Sequence, residues 1–198
     1  MIIPRVRLIY FQDRQNPDTV HIVGPYNYQN GKAIRISLCY SVNPGYVWRL
    51  FPSHTFGKHN HDVESIVFVW DDYGDHPSRM FLSAHSPEQG SWVHLDDRGS
   101  AVFVYVAKES NAMYYAPGVH ARVFNLFNDT TVPSRFDCRV ARIYSLDYNN
   151  AVHHTLGTDS QRHNDPVAMW LPPTTTLSET GRFLYPVNGW IRRKLGLV

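Results

Sequence analysis

Two imidazoles and two carboxylates fall within six positions, His59, His61, Asp62 and Glu64, in the segment Lys58-His59-Asn60-His61-Asp62-Val63-Glu64. Side chains of these types hold divalent cations or transfer protons. On an extended chain, neighbouring side chains point to opposite faces, so His59 and His61 share one face and Asp62 and Glu64 the other. A kink near His61 lets His59, Asp62 and Glu64 converge as a metal-ligand set. Mixed carboxylate and imidazole ligands suit Mn²⁺, Zn²⁺ or Mg²⁺, and an oxygen-dominated set with waters suits Ca²⁺ or Mg²⁺, the favoured cofactors here. The plainer alternative is a group of hydrogen-bonding surface residues at a strand start, holding no ion.

Other candidates are more scattered. His85 and His120 are additional histidines that a fold could bring to the same site. His153-His154 and His163-Asn164-Asp165 form a second polar cluster that reads as a solvated loop. Trp92, Tyr114 and Tyr115 are aromatics that either line a groove for sugar rings or lipid headgroups, or pack in the core. No zinc template is present, neither HExxH nor paired cysteines. Covalent catalysis has little support, because there is no G-x-S-x-G elbow and Cys39 lies in an apolar run. The glycines do not form a phosphate loop. Catalytic residues are therefore left unassigned.

The elements around the cluster read as strands. Thr55-Phe56-Gly57-Lys58 is a Gly-containing loop ahead of it, and the buried-type run Ser65-Ile66-Val67-Phe68-Val69-Trp70 follows directly. A short, β-branched, turn-bounded run of this kind fits a central strand covered on both faces. Ala101 to Ala107 repeats the pattern. Arg5 to Phe11 is rich in strand formers, and Arg139 to Tyr144 alternates polar with apolar, as a strand with one wet face does. Asn30-Gly31 between Tyr26-Asn27-Tyr28 and Ala33-Ile34-Arg35-Ile36 predicts a hairpin with a type I′ turn. Short helical turns are expected at most over Pro166 to Leu171 and Trp190 to Leu197. The expectation is an all-β fold: a single-domain β-sandwich over 1–198, with long irregular loops, little helix and an irregular C-terminal extension over 145–198.

Composition agrees. The chain has 198 residues, 43% hydrophobic and 18% charged, enough to bury a sizeable core. Aromatics at 14% favour sheet surfaces. A net charge of +2 gives no basic stripe of the kind nucleic acid requires, apart from the short tail Arg192-Arg193-Lys194. No apolar stretch nears the roughly 20 residues of a membrane span. The N-terminal segment lacks the pattern of a signal peptide, so a cytosolic, virion-associated or already trimmed protein is expected. Cys39 and Cys138 read either as a disulfide or as separate thiols.

The segment Lys58 to Glu64 resembles the G-H-R-H-D-W-E heptapeptide of the necrosis- and ethylene-inducing-like proteins (the NPP1 family) and the H-x-x-D-W-E of the related Vps62-like proteins. His59, His61, Asp62 and Glu64 match, whereas Lys58, Asn60 and Val63 replace Gly, Arg and Trp. Ser83-Ala84-His85-Ser86, Gly90-Ser91-Trp92-Val93, Val102 to Ala107 and Ser110 to Tyr114 are similar to the Vps62-like run S-Q-H … G-x-W … V-V-Y-V-A-x-x-S-H-A-S-Y, with Asn111 in place of its second His. The resemblance spans residues 33–120. It implies a β-sandwich with a divalent cation at its mouth, held by His59, Asp62 and Glu64, that docks glycans or lipid headgroups. The sequence departs from the family at Phe51 to His54, where its further ligand, an Asp, has no counterpart.

Three functional readings follow. The first is a cation-dependent protein binding glycan or lipid headgroups. The second is a metal-dependent hydrolase with His61 or His85 as general base. The third is a structural subunit of a virion or other assembly.

Overall fold

The structure is a computed structural model that describes residues 1–47, 55–71, 74–84, 86–95, 101–121, 128–158, 162 and 164–174. Strands dominate it. The first eight are β1 (Val6–Phe11), β2 (Thr19–Tyr28), β3 (Gly31–Asn43), β4 (Tyr46–Val47), β5 (Thr55–Phe56), β6 (His59–Trp70), β7 (Arg79–Ala84) and β8 (Ser86–His94). They are followed by β9 (Val102–Val106), β10 (Met113–Tyr114), β11 (Val119–Ala121), β12 (Asn128–Thr130), β13 (Ala141–Ser145) and β14 (Val152–His154). Among the described residues the helical content is one short 3₁₀ turn at Tyr148–Asn150, capped by the Asp147 side chain. None of their helices is long and apolar enough to cross a membrane.

Two sheets face each other. The larger has the order β14-β2-β3-β6-β7-β8 and the smaller the order β10-β9-β1-β13. Alternation decides which residues meet between them. Ile34, Ile36, Leu38 and Tyr40 of β3, with Ile66, Phe68 and Trp70 of β6, project inward against Leu8 and Tyr10 of β1 and Val104 and Val106 of β9. Burying each such side chain contributes about 1.5–3 kcal/mol, which makes this layer the main source of cohesion. The expected all-β sandwich is the architecture found.

The outer face of the larger sheet is also covered, which explains why residues 65–70 read as a continuous apolar run. Val67, Val69 and Phe81 on that face pack with Ala168 and Trp170 from a strap formed by residues 164–173. Side chains on the sheet anchor the strap through its carbonyls. Ser37 Oγ donates to Pro166 O at 2.8 Å, Arg35 to Ala168 O at 2.8 Å, Tyr28 to Pro172 O at 3.1 Å and Trp92 to Pro173 O at 2.9 Å. Arg35 is fully buried, also donates to Ser65 Oγ at 2.9 Å, and stands 4.9 Å from the Trp170 ring. Burial lowers its pKa to about 10, leaving it charged at neutral pH.

Two local expectations are corrected. The β2–β3 hairpin exists, but Tyr28 pairs with Gly31, so Gln29 and Asn30 are its central residues. Of these two only Gln29 has positive φ, at 52°, which rules out type I′. Gly31 serves packing instead, because a Cβ there would lie 2.0 Å from the Trp70 carbonyl oxygen. Pro166 to Leu171 does not form a helical turn that continues. After a turn at Asp165–Val167 the chain extends, and Ala168 bridges to Thr158, because the strap must lie flat to present its carbonyls to the sheet. The segment Trp190 to Leu197 and the tail Arg192-Arg193-Lys194 lie outside the described residues.

Candidate functional site

Strand β6 carries the cluster at its open end. It pairs with β3 in a single register, from Lys32↔Trp70 to Asn43↔His59, that skips the Ser41–His61 position. There the Ser41 amide turns to Asp18 Oδ2 at 2.5 Å, and His61 adopts a left-handed φ of 60°. Left-handed backbone is uncommon outside Gly, although His, like Asn and Asp, adopts it more readily than most, and it breaks the strand's strict alternation. The kink brings His59 and Asp62, which a regular strand would point to opposite faces, within reach: His59 Nε2 lies 3.9 Å from Asp62 Oδ1.

Beyond the kink, alternation resumes. Asp62 and Glu64 point the same way as Ile66, Phe68 and Trp70, toward the interior, and are buried to 9% and 3% exposure. Carboxylates in such a position need donors. Asp62 Oδ2 accepts from Asn43 Nδ2 at 3.2 Å and from Asn111 Nδ2 at 3.0 Å. Glu64 Oε2 accepts from Ser83 Oγ, whose oxygen in turn accepts the Ser65 amide at 2.7 Å. Below them Tyr40 is held neutral. Burial raises its hydroxyl pKa well above the ordinary value, and Tyr10, Glu64 and Asp62 push it the same way. Its hydroxyl pairs with that of Tyr10 at 2.8 Å.

Asn43, His59, Asn60, His61, Asp62 and Glu64, with Asn164 of the strap, line a polar cavity of about 330 Å³. His59, Asn60 and His61 are exposed at its lip. His59 and Asp62 thus come together, with Glu64 one step deeper and engaged by Ser83. Among the described residues no three His, Cys, Asp or Glu side chains group so as to hold a metal ion. A hydrated hard cation commonly keeps several waters and takes only one or two carboxylates, so Asp62 would supply its direct ligand and the His59 imidazole would accept from one of its waters.

The remaining candidates are placed elsewhere. His120 stacks on Tyr114 with ring centroids 3.6 Å apart, and the Tyr114 hydroxyl donates to Asp129 at 2.6 Å. Trp92 packs edge-on against Phe81 on the outer face, beneath the strap. Tyr115 is half exposed and borders a separate cavity. His85 lies outside the described residues. His154 stacks on His21, with Nδ1 of His21 and Nε2 of His154 3.0 Å apart. Cys39 and Cys138 are both free thiols.

Sequence reasoning passed over Asn43 and Asp129, and named Ser83 only within the run Ser83 to Ser86 without a role. Asp129 is fully buried and accepts from Tyr46 at 2.7 Å, Ser110 at 2.5 Å and Tyr114. Asn43 ties this network to the site by donating to the Ser110 carbonyl at 3.2 Å. Local pattern could not have revealed these residues, since each acts on a partner at least 15 positions away. Asn111 carried a signal through its place in the run from Ser110 to Tyr114.

No protein-family model and no curated protein matches the chain. Among solved structures it is similar to NLPPya in complex with glucosamine, at 12% identity over 92% of this chain and 84% of that one, with a TM-score of 0.37. NLPPya in complex with mannosamine gives 11% identity with the same coverage and TM-score. A structure described as a toxin fold for microbial attack and plant defense gives 13% identity and a TM-score of 0.38 over the same shares. The resemblance to the necrosis- and ethylene-inducing-like proteins is a distant one.

Proposed function

We propose that this chain is a binding protein whose β6 mouth takes a hydrated divalent cation, Mg²⁺ or Ca²⁺, at Asp62 and His59, and with it the hydroxyls of a glycan or lipid headgroup. One observation carries the reading: a left-handed kink at His61 sets an imidazole 3.9 Å from a buried carboxylate at the lip of a polar cavity. Asn43 and Asn111 donate to Oδ2 of Asp62 and orient the carboxylate. When bound, the cation would supply a positive centre to which vicinal hydroxyls coordinate. Glu64, fixed by Ser83, and the side chains of Asn60, His61 and Asn164 offer hydrogen-bond partners to the same ligand.

Thermal unfolding with EDTA and then with each ion tests the first step, beside Asp62→Asn. An ion that binds only the folded state adds RT ln(1 + [L]/Kd), about 2.7 kcal/mol at a hundredfold excess over Kd. Stabilisation by Mg²⁺ or Ca²⁺ that the variant loses is the expected result. Glucosamine, mannosamine and glycosylated lipid vesicles are the first ligands to titrate, with and without the ion. Binding that neither EDTA nor Asp62→Asn weakens would overturn the proposal.

A further inference from the structure

A second and larger cavity, of about 710 Å³, lies at the other end of the sandwich. Strand β6 runs from His59 at the first site to Trp70, just before the turn that holds His76. Eleven steps along a strand separate these ends by roughly 35 Å. The cavity is bordered by the start of β1, the β6–β7 turn, the end of β8 and the start of β9, and falls within the size range of small-molecule pockets.

Its lining is one-sided in charge. Arg5 and Arg135 contribute to it, His76 and His94 add ring nitrogens that can hydrogen-bond, and no Asp or Glu is among its described lining residues. Among the described residues, two acids beside it have cations of their own nearby. Asp75 stands 3.9 Å from the Met1 amine, and Asp137 is paired with Arg139 at 3.2 Å. The whole protein carries only +2, so two arginines without an acid are a local excess among the described lining residues. The rest of the lining is apolar, chiefly Ile2, Leu95, Val102, Phe103 and Phe136. Ile2 and Phe136 are 55% and 82% exposed, so apolar surface is held open to water at the rim.

Arg135 gives the cavity its chemistry. Its guanidinium carbon lies 3.9 Å from the centre of the Phe103 ring and 5.0 Å from that of Phe136. Arg7 approaches the same Phe103 ring at 5.7 Å. Ring contact engages the faces of a guanidinium and leaves its in-plane N–H donors for water or a planar anion, with carboxylate the best geometric match. Two guanidinium groups near one ring raise the local positive potential, which an anion held by Arg135 would lower.

We propose that this cavity binds an amphiphilic carboxylate, a small acid with an aliphatic or aryl body. Its carboxylate meets Arg135 in the field of Arg5, and its body lies against Phe103 and Leu95. The test is displacement of the fluorescent probe 1-anilinonaphthalene-8-sulfonate by decanoate, decanamide and decyltrimethylammonium, which share a chain and differ in head charge. Decanoate is expected to displace the probe at least tenfold more effectively than the other two. Arg135→Gln should remove that preference without moving the unfolding temperature, and Asp62→Asn should leave it intact. Arg5→Gln, at an exposed position, provides the same test if Arg135→Gln folds poorly. Equal displacement by all three would overturn the proposal, as would a decanoate preference that survives both arginine variants. Retention only on phosphatidylglycerol vesicles, with no decanoate preference, would also overturn it, in favour of a lipid surface.

Discussion

Asn111 donates its side-chain amide to Asp62 at 3.0 Å from a backbone held at a φ of 57°. The same amide reaches the Val42 carbonyl at 3.1 Å, and its own oxygen accepts from Arg14 at 2.6 Å. One side chain therefore fixes the orientation of the buried carboxylate and joins the segment before β10 to β3. Asn tolerates the left-handed conformation that Ala resists by about 1–2 kcal/mol. Removing a hydrogen bond to a charged group costs about 1.5–3 kcal/mol more. Asn111→Ala should lower stability by roughly 3 kcal/mol in urea unfolding, and should weaken any cation response through the freed Asp62.

Glycine substitutions separate packing from backbone freedom. A Cβ at Gly31 would lie 2.0 Å from Trp70 O, a main-chain atom in the central pair of strands. Gly31→Ala should destabilise by at least about 2 kcal/mol, in the upper part of the overpacking range. At Gly74 the nearest atom is 3.5 Å away, so Gly74→Ala should stay within about 0.5 kcal/mol. Parallel denaturation curves would check both.

The His21–His154 pair predicts a pH dependence. Burial lowers the His21 pKa, and His154 and Arg35 lower it further. The unfolded chain therefore takes up this proton at a higher pH than the folded one. The contribution of His21 is complete above the ordinary histidine value of about 6.5 and is lost as pH falls from there toward the lowered folded value. Unfolding temperatures measured from pH 7.5 to 5 should show this decline, and His21→Gln should flatten it. An equal decline in the variant would assign the effect to other groups.

Arg35→Met keeps much of the volume and removes the donors to Ser65 Oγ and Ala168 O. A stability loss of about 2–4 kcal/mol is expected from the acceptors left behind. Hydrogen exchange should accelerate most over residues 164–172, where the strap loses an anchor. Uniform acceleration across β3 and β6 would instead mean that Arg35 holds the sheet.

The sheet elements were legible because they depend on local pattern. Residues 65–70 and 101–107 carry their burial in their own spelling, and the strands found there follow it; over 139–144 a strand also forms, at Ala141–Ser145, but there Ile143 is exposed and Arg142 partly buried. The cluster at 59–64 was legible for the same reason, being contiguous. The supports of the site were not. Asn43, Ser83 and Asp129 look like ordinary loop and strand residues, and only the register of β3 on β6 and the return of β12 bring them to their partners. The turn at Gln29–Asn30 was misplaced by one position because Asn-Gly is a strong turn signal, and Gly31 was required for another reason.

Each of the four anchors described for the strap runs from a sheet side chain to a main-chain oxygen, at Pro166, Ala168, Pro172 and Pro173. A carbonyl is the same group whatever residue bears it. The sheet therefore specifies the path of the strap more than its spelling, apart from Trp170, Ala168 and Met169, which pack into the face, and Asp165, which accepts from Thr158 Oγ1 and the Val167 amide. Segment 164–173 should accept foreign sequence that keeps those four residues and the extended backbone. With Asn164 at the cavity lip, exchanging its neighbours is a way to alter what the mouth of the sandwich selects without rebuilding the sandwich.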